Sequence, residues 1–272
     1  LIPERLTLPP SSFPQDPQWQ ALYELVDLVA ARQRQDFGQL SSSVKPDGSL
    51  VTACDQWSDA TLAAGLARIY PGDGLLSEEG STDVPRQENY WVVDPLDGTT
   101  NFSVGLPIWA ISMARFKAGI PVAAILDIPP VQQRFVAIKG LGVWRDGEPL
   151  NGPGGPRHGC SCASLCTRSV KVLRRVQQPF PAKTRMLGVA SLNLLGVGLG
   201  TMLAALEATP KVWDIAAVWL MLQELQCPLQ ALAKQPFPLT PGAAEAEASY
   251  PTFTACNQEQ LERFMPWAEA LN

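Results

Sequence analysis

A short apolar run, Trp91-Val92-Val93, leads without a break into Asp94 and, three positions later, Asp97. A run of that composition reads as a buried strand, and carboxylates at the end of a buried strand need water, a cation or a ligand to face. The same construction occurs upstream, where Leu75-Leu76 follows the Pro71-Gly72 breaker and runs into Ser77-Glu78-Glu79. Gathering Glu78, Asp94 and Asp97 at one spot is repulsive unless cations neutralise them, and an all-oxygen donor set favours a hard ion such as Mg²⁺ over zinc. Two such ions about 3.5–4 Å apart can ionise a water and stabilise the leaving oxygen of an in-line displacement. Directly after Asp97 comes Gly98-Thr99-Thr100-Asn101-Phe102, a turn able to aim free amides and hydroxyls at an anion.

The rest of the chain alternates helix and strand signals. Leu22, Leu25, Val26, Val29 and Ala30 carry helical spacing within 19–40, and a second helix is predicted from Asp55 to Tyr70. Strands joined by turns are predicted over 109–128 and 134–143, with Asp146-Gly147 as a hairpin signal before Pro149-Leu150. Helices over 189–199 and 213–225 flank a predicted strand from Met202 to Glu207. The breaker run GPGGPRHG, 152–159, divides the chain into a half of residues 1–151 that carries most of the acids and a half of residues 152–272.

Bulk properties exclude several alternatives. A chain of 272 residues with 46% apolar content can bury a core as one large domain or two intimate halves. The formal charge of −5, without a long basic run, argues against a nucleic-acid partner. No stretch reaches the roughly 18 apolar residues of a membrane span, and LIPERLTLPP lacks the design of a secretory signal, although the first residue is not Met. Six cysteines in a chain this long point to a reducing, cytoplasmic compartment rather than a disulfide framework. A single histidine, His158, leaves acid–base work to carboxylates, hydroxyls or metal-bound water.

Two further patterns are set aside. Cys162 and Arg168 have thiolate-phosphatase spacing, but Ala163-Ser164-Leu165-Cys166-Thr167 lacks the glycines of a phosphate loop. Cys160, Cys162 and Cys166 beside His158 lack the paired knuckles of a structural zinc site. No D-x-D motif supports a haloacid dehalogenase.

WVVDPLDGTTNF, together with LLSEE upstream and KVWDIAAVWL downstream, resembles the inositol monophosphatase family in motif order and spacing, from about Lys45 to Leu225. The resemblance implies an α/β (α+β) fold, a layered αβαβα sandwich shared with fructose bisphosphatases and 3′-phosphoadenosine-5′-phosphate phosphatases. It implies a first Mg²⁺ on Glu78, Asp94 and the Leu96 carbonyl, a second on Asp94, Asp97 and Asp214, and a weaker third touching Glu78. Gly98 and Thr99 would offer amides to the phosphate, and the Thr99 hydroxyl would orient the attacking water. Asp47, five residues before Thr52, is the candidate base, since Ser49 occupies the place of an acid three residues before that threonine. Glu207 would read substrate hydroxyls, with Gly188 and Ala190 lining the same pocket.

The activity so implied is Mg²⁺-dependent hydrolysis of a small phosphomonoester, with myo-inositol 1-phosphate or a similar sugar phosphate favoured. Histidinol phosphate, 3′-phosphoadenosine 5′-phosphate and fructose 1,6-bisphosphate are the alternatives. Lithium inhibition and a homodimer are further implications of the resemblance. The non-enzymatic alternative is a family member that has lost catalysis and acts as a binding protein. All the acids are present, while Val218 stands where the family commonly has glycine.

Overall fold

The computed structural model describes residues 16–39, 42–44, 50–81, 83–244 and 248–271. In chain order the helices are α1 (Pro17–Asp36), α2 (Ala53–Ile69), α3 (Thr99–Ser103), α4 (Val172–Arg175), α5 (Ala190–Gly198), α6 (Val212–Glu224) and α7 (Gln258–Glu269). A hairpin of β1 (Ser42–Val44) and β2 (Leu50–Thr52) precedes two larger sheets. The first sheet runs in sequence order through β3 (Gly74–Ser77), β4 (Asn89–Asp97), β5 (Ala110–Lys117), β6 (Ile120–Ile128), β7 (Gln133–Ile138), β8 (Gly142–Arg145) and β9 (Glu148–Leu150). The second contains β10 (Cys162–Leu165), β11 (Lys183–Arg185), β12 (Ala204–Glu207), β13 (Leu229–Ala231) and β14 (Thr252–Ala255) in the order β11-β10-β12-β14-β13.

Alternation along β4 decides the layering. Trp91 and Val93 point to one face, where they pack with Leu22, Val26 and Val29 of α1 and Leu62 and Leu66 of α2. Tyr90 and Val92 point to the other and meet Leu194 and Val197 of α5 and Ala216, Val218 and Leu220 of α6. The second sheet lies beyond α5 and α6, and its far face packs Leu165, Leu206 and Phe253 on Phe264 and Trp267 of α7. The result is the αβαβα sandwich expected from the resemblance. Val218 is fully buried in the layer between α6 and the first sheet.

The predicted helices occur within a few residues of their expected limits, α1 ending at Asp36 and α2 beginning at Ala53. Asp146 and Gly147 form the β8–β9 turn, with φ of 51° and 89°, both left-handed as a tight hairpin requires. The chain passes from the first sheet to the second between Leu150 and Cys162, across the Gly/Pro-rich run. Away from the acids, Arg134 is buried and donates to Asp127 at 2.8 Å and to Asp27 at 2.6 Å. That charge cluster fastens α1 to the sheet. All six cysteines are free thiols.

Candidate active site and metal centre

Strict alternation would send Asp94 and Asp97, three residues apart, to opposite faces of β4. The pairing with β5 prevents this, because Asp94 lies opposite Ser112 whereas Asp97 lies opposite Ala110, a one-residue register shift at Pro95-Leu96. The bulge turns both carboxylates toward α5 and α6. Its freed carbonyl, that of Pro95, accepts from Gln33 Nε2 at 2.8 Å, and Gln33 Oε1 accepts from Trp109 Nε1 at 3.0 Å. Gln33 is fully buried in α1, so the kink is held from the opposite side of the sheet.

Two helix starts complete the cluster. Asp97 accepts from the Ser191 amide at 2.9 Å, the Ser191 hydroxyl at 2.5 Å and the Ala190 amide at 3.3 Å, at the amino end of α5. Asp214 stands in the first turn of α6 and accepts from the Lys211 amide at 2.7 Å. The Trp213 carbonyl accepts from Ser112 Oγ at 3.2 Å, tying that turn to the strand position opposite Asp94. One oxygen each from Asp94, Asp97 and Asp214 lies within 4.8 Å of the others. Glu78 follows β3 with its amide donating to the Val93 carbonyl, and its charge acts on both Asp94 and Asp214.

Burial and mutual repulsion dominate the electrostatics. Asp94 is 1% exposed, and its pKa is raised well above the usual carboxylate range by burial first, then by Glu78, Asp97 and Asp214. Asp214 is raised likewise by burial, Asp97 and Glu78. Burial also raises Asp97, against the opposing pull of its Ser191 and Ala190 hydrogen bonds. Oxygen-only donors whose charges repel in this way fit a hard divalent cation, which would remove the repulsion.

Beside the acids, Gly98 begins α3 at φ 106°, a left-handed conformation that favours glycine. A Cβ at that position would lie 2.7 Å from Val189 Cγ2 and 3.2 Å from the Ile108 carbonyl. Only glycine lets the turn approach α5 so closely. The first amides of α3 have no intrahelical acceptor and remain available to an anion.

Asp47 lies outside the described residues. The structure gives Thr99 a different carboxylate: its hydroxyl donates to Asp55 Oδ1 at 2.8 Å, with the Leu96 carbonyl a longer contact at 3.2 Å. Asp55 is buried and its other oxygen takes the Thr52 amide at 2.8 Å and the Thr52 hydroxyl. These contacts form the capping box that starts α2, so a helix cap also orients Thr99. The spacing Thr52-x-x-Asp55 signals the cap in sequence, but the link to Thr99 spans 44 residues and has no local signature.

On the far side of the acids, Glu207 ends β12 and is 4% exposed. Its Oε1 accepts from Asn193 Nδ2 at 2.7 Å, and the Cys166 thiol also hydrogen-bonds the carboxylate. Gly188 is exposed with φ 72°, packed against Asn101, and Ala190 opens α5 above Asp97. The cysteines set aside from the zinc reading diverge: Cys160 donates to the Thr201 carbonyl, while Cys166 Sγ accepts from the Ala208 amide.

Burial pushes the Glu207 carboxyl up from 4.5 to about 8. Between those values the folded protein holds a proton that the unfolded chain has lost, so stability falls as pH rises from about 4.5 toward 8. In chelator, calorimetric Tm should decline over this range, and Glu207→Gln should flatten the decline by a few kcal/mol. An unchanged slope in the variant would mean that Glu207 is ionised throughout.

The strand ends of this five-layer α/β sandwich carry an oxygen-only acid pocket beside the Gly98 turn. Residues 16–263 match the inositol monophosphatase family. An inositol-1-monophosphatase of Mesorhizobium japonicum is 32% identical over 202 residues, covering 70% of this chain and 76% of the relative. A histidinol-phosphatase of Mycobacterium tuberculosis is 30% identical over 224 residues, covering 74% and 82%. Among solved structures, an IMPase/NADP phosphatase complexed with Mg²⁺ and phosphate superposes with a TM-score of 0.76 at 23% identity, covering 93% of this chain and 94% of that one. This chain belongs to the inositol monophosphatase family.

Proposed function

We propose that the chain is a Mg²⁺-dependent phosphomonoesterase acting on a small phosphorylated metabolite of the sugar-phosphate type. The observation that carries this reading is the convergence of Asp94, Asp97 and Asp214 beside a threonine whose hydroxyl is committed to a buried carboxylate. Glu78, Asp94, Asp97, Asp214 and the Leu96 carbonyl would hold the ions. Bound magnesium would polarise the phosphoryl oxygens, activate water and neutralise the leaving oxygen.

The remaining work belongs to the protein. Thr99 gives its only hydroxyl proton to Asp55, so its oxygen presents lone pairs and accepts a hydrogen bond from the attacking water. Asp55 is then the residue placed to receive the proton as the water attacks, and the Thr52 bonds on its other oxygen keep it aimed. The amides of Gly98 and Thr99, beside the acids, would hold the phosphate. Gly188 and Ala190 border the space for the alcohol portion, which ends at Glu207.

The relatives' names support phosphoester hydrolysis and divide on the substrate. Activity on a generic phosphomonoester should appear with Mg²⁺ or Mn²⁺ and vanish on chelation, returning when the metal is restored. Turnover that persists in chelator would overturn the assignment.

A further inference from the structure

Between Glu148 and Glu207 the sequence contains no Asp or Glu, yet it contains seven basic residues: Arg157, Arg168, Lys171, Arg174, Arg175, Lys183 and Arg185. In a chain of net charge −5 this is a pronounced local excess. Arg168, Lys171, Arg174, Lys183 and Arg185 are all exposed, and among the described residues none of them forms an ion pair.

One of these charges stands at the substrate end of the site. β10 and β12 are parallel neighbours, with Leu165 opposite Leu206, so their carboxyl ends open onto the same edge of the second sheet. Arg168 lies in the short 3₁₀ turn Thr167–Ser169 that follows β10. The buried Ser169 hydroxyl holds this turn against β12, contacting the Leu206 carbonyl at 3.0 Å. That bond places the turn carrying Arg168 at the end of β12 next to Glu207, and the Arg168 charge reaches the Glu207 carboxylate. Glu207 in turn lies within reach of Asp97 and Asp214. Glu207 is therefore within electrostatic reach of both the acid cluster and Arg168.

Glu207 does not neutralise this arginine. It is buried, with Asn193 on one oxygen and Cys166 also bonded to the carboxylate, whereas Arg168 is exposed and forms no ion pair among the described residues. A guanidinium at that place favours a negatively charged group on the substrate and disfavours a positively charged one.

Resting on the phosphatase reading above, we propose that the alcohol portion of the substrate carries a second anionic group, a phosphate or a carboxylate, that pairs with Arg168. The scissile phosphate occupies the acid cluster and the Gly98 turn, and the carbon skeleton spans the distance past Glu207. Histidinol phosphate, with its cationic amine, is the wrong charge for this pocket. Inositol 1-phosphate leaves the arginine without a partner.

The test compares wild type with Arg168→Gln in Mg²⁺ buffer on inositol 1-phosphate, histidinol phosphate, fructose 1,6-bisphosphate and 3-phosphoglycerate. The bisphosphate and the carboxylate distinguish the two forms of the second anion. For the preferred one, kcat/KM should fall about tenfold or more, through KM, relative to the change for inositol 1-phosphate. Arg174→Gln, in the same basic run but on α4, should preserve the wild-type ratio. Equal losses on every substrate, or a wild-type preference for histidinol phosphate, would overturn the proposal. Calorimetric binding of the same esters reads the pairing without turnover. Binding that depends on Arg168 in a protein that hydrolyses nothing would sink the phosphatase reading and leave this one standing, while binding indifferent to Arg168 would overturn it.

Discussion

Asp94→Asn should lower kcat by at least about a hundredfold at saturating Mg²⁺, measured with any phosphomonoester that the wild type hydrolyses. Asp94 is the most buried of the clustered acids, and its pKa responds to all three of the others. Removing its charge therefore takes away the carboxylate that, in the proposed function, would contribute most to holding the cations. The fold should survive, because Asn retains the oxygen that accepts the Leu96 amide at 3.0 Å and relieves repulsion in the metal-free state. The variant should accordingly melt no lower than wild type in chelator while losing the stabilisation that Mg²⁺ gives the wild type. A variant with wild-type kcat would remove Asp94 from the centre, and one that fails to fold would show that the residue is chiefly structural.

The second large effect concerns Asp55. In Asp55→Asn, the oxygen facing the Thr52 amide and hydroxyl meets two donors, so the new amide must turn its carbonyl toward Thr52 and its NH₂ toward Thr99. Thr99 then receives a hydrogen bond instead of giving one, and its proton turns toward the Leu96 carbonyl or the water. Loss of both water orientation and the proton acceptor should reduce kcat by roughly 10²–10⁴ and leave KM nearly unchanged. Asp47→Asn is the companion variant. A large kcat loss there, with Asp55→Asn close to wild type, would return the proton-accepting role to Asp47.

These two residues show what was legible in the sequence and what was not. Asp94 belongs to an acid pair at the end of an apolar run, and the chemistry of such a pair is local enough to read from spacing. Helix α1 announces itself by the apolar spacing of Leu22, Leu25, Val26, Val29 and Ala30, which lie on its buried face, whereas α6 is apolar and buried almost all round. Asp55 had no such signal, since its cap is local but its bond to Thr99 depends on how β2 and α2 dock on the turn after β4. The bulge was equally hidden: DPLD states that two acids are three residues apart, but not that the pairing with β5 slips between them. Glu207 was legible as a strand-end acid, while its enclosure by Asn193 and Cys166 arises from elements 14 and 41 residues away in the chain. The carboxyl-terminal helix α7 was not anticipated. Its apolar residues Leu261, Phe264, Trp267 and Ala268 do share one face, which packs on the second sheet, but Pro266 within the helix argues against a helix there in sequence.

The one-residue slip in β4 separates two properties of this protein that usually change together. The packing of Trp91 and Val93 on α1 and α2 is settled before the slip, whereas the meeting of the acids is settled by it. A chain shorter by one residue at Pro95-Leu96 would keep its hydrophobic contacts upstream but turn Asp97 away from Asp94. Members of this architecture thus have a route to becoming stable, non-catalytic scaffolds by changing the length of a strand, with every acidic residue still present in the sequence.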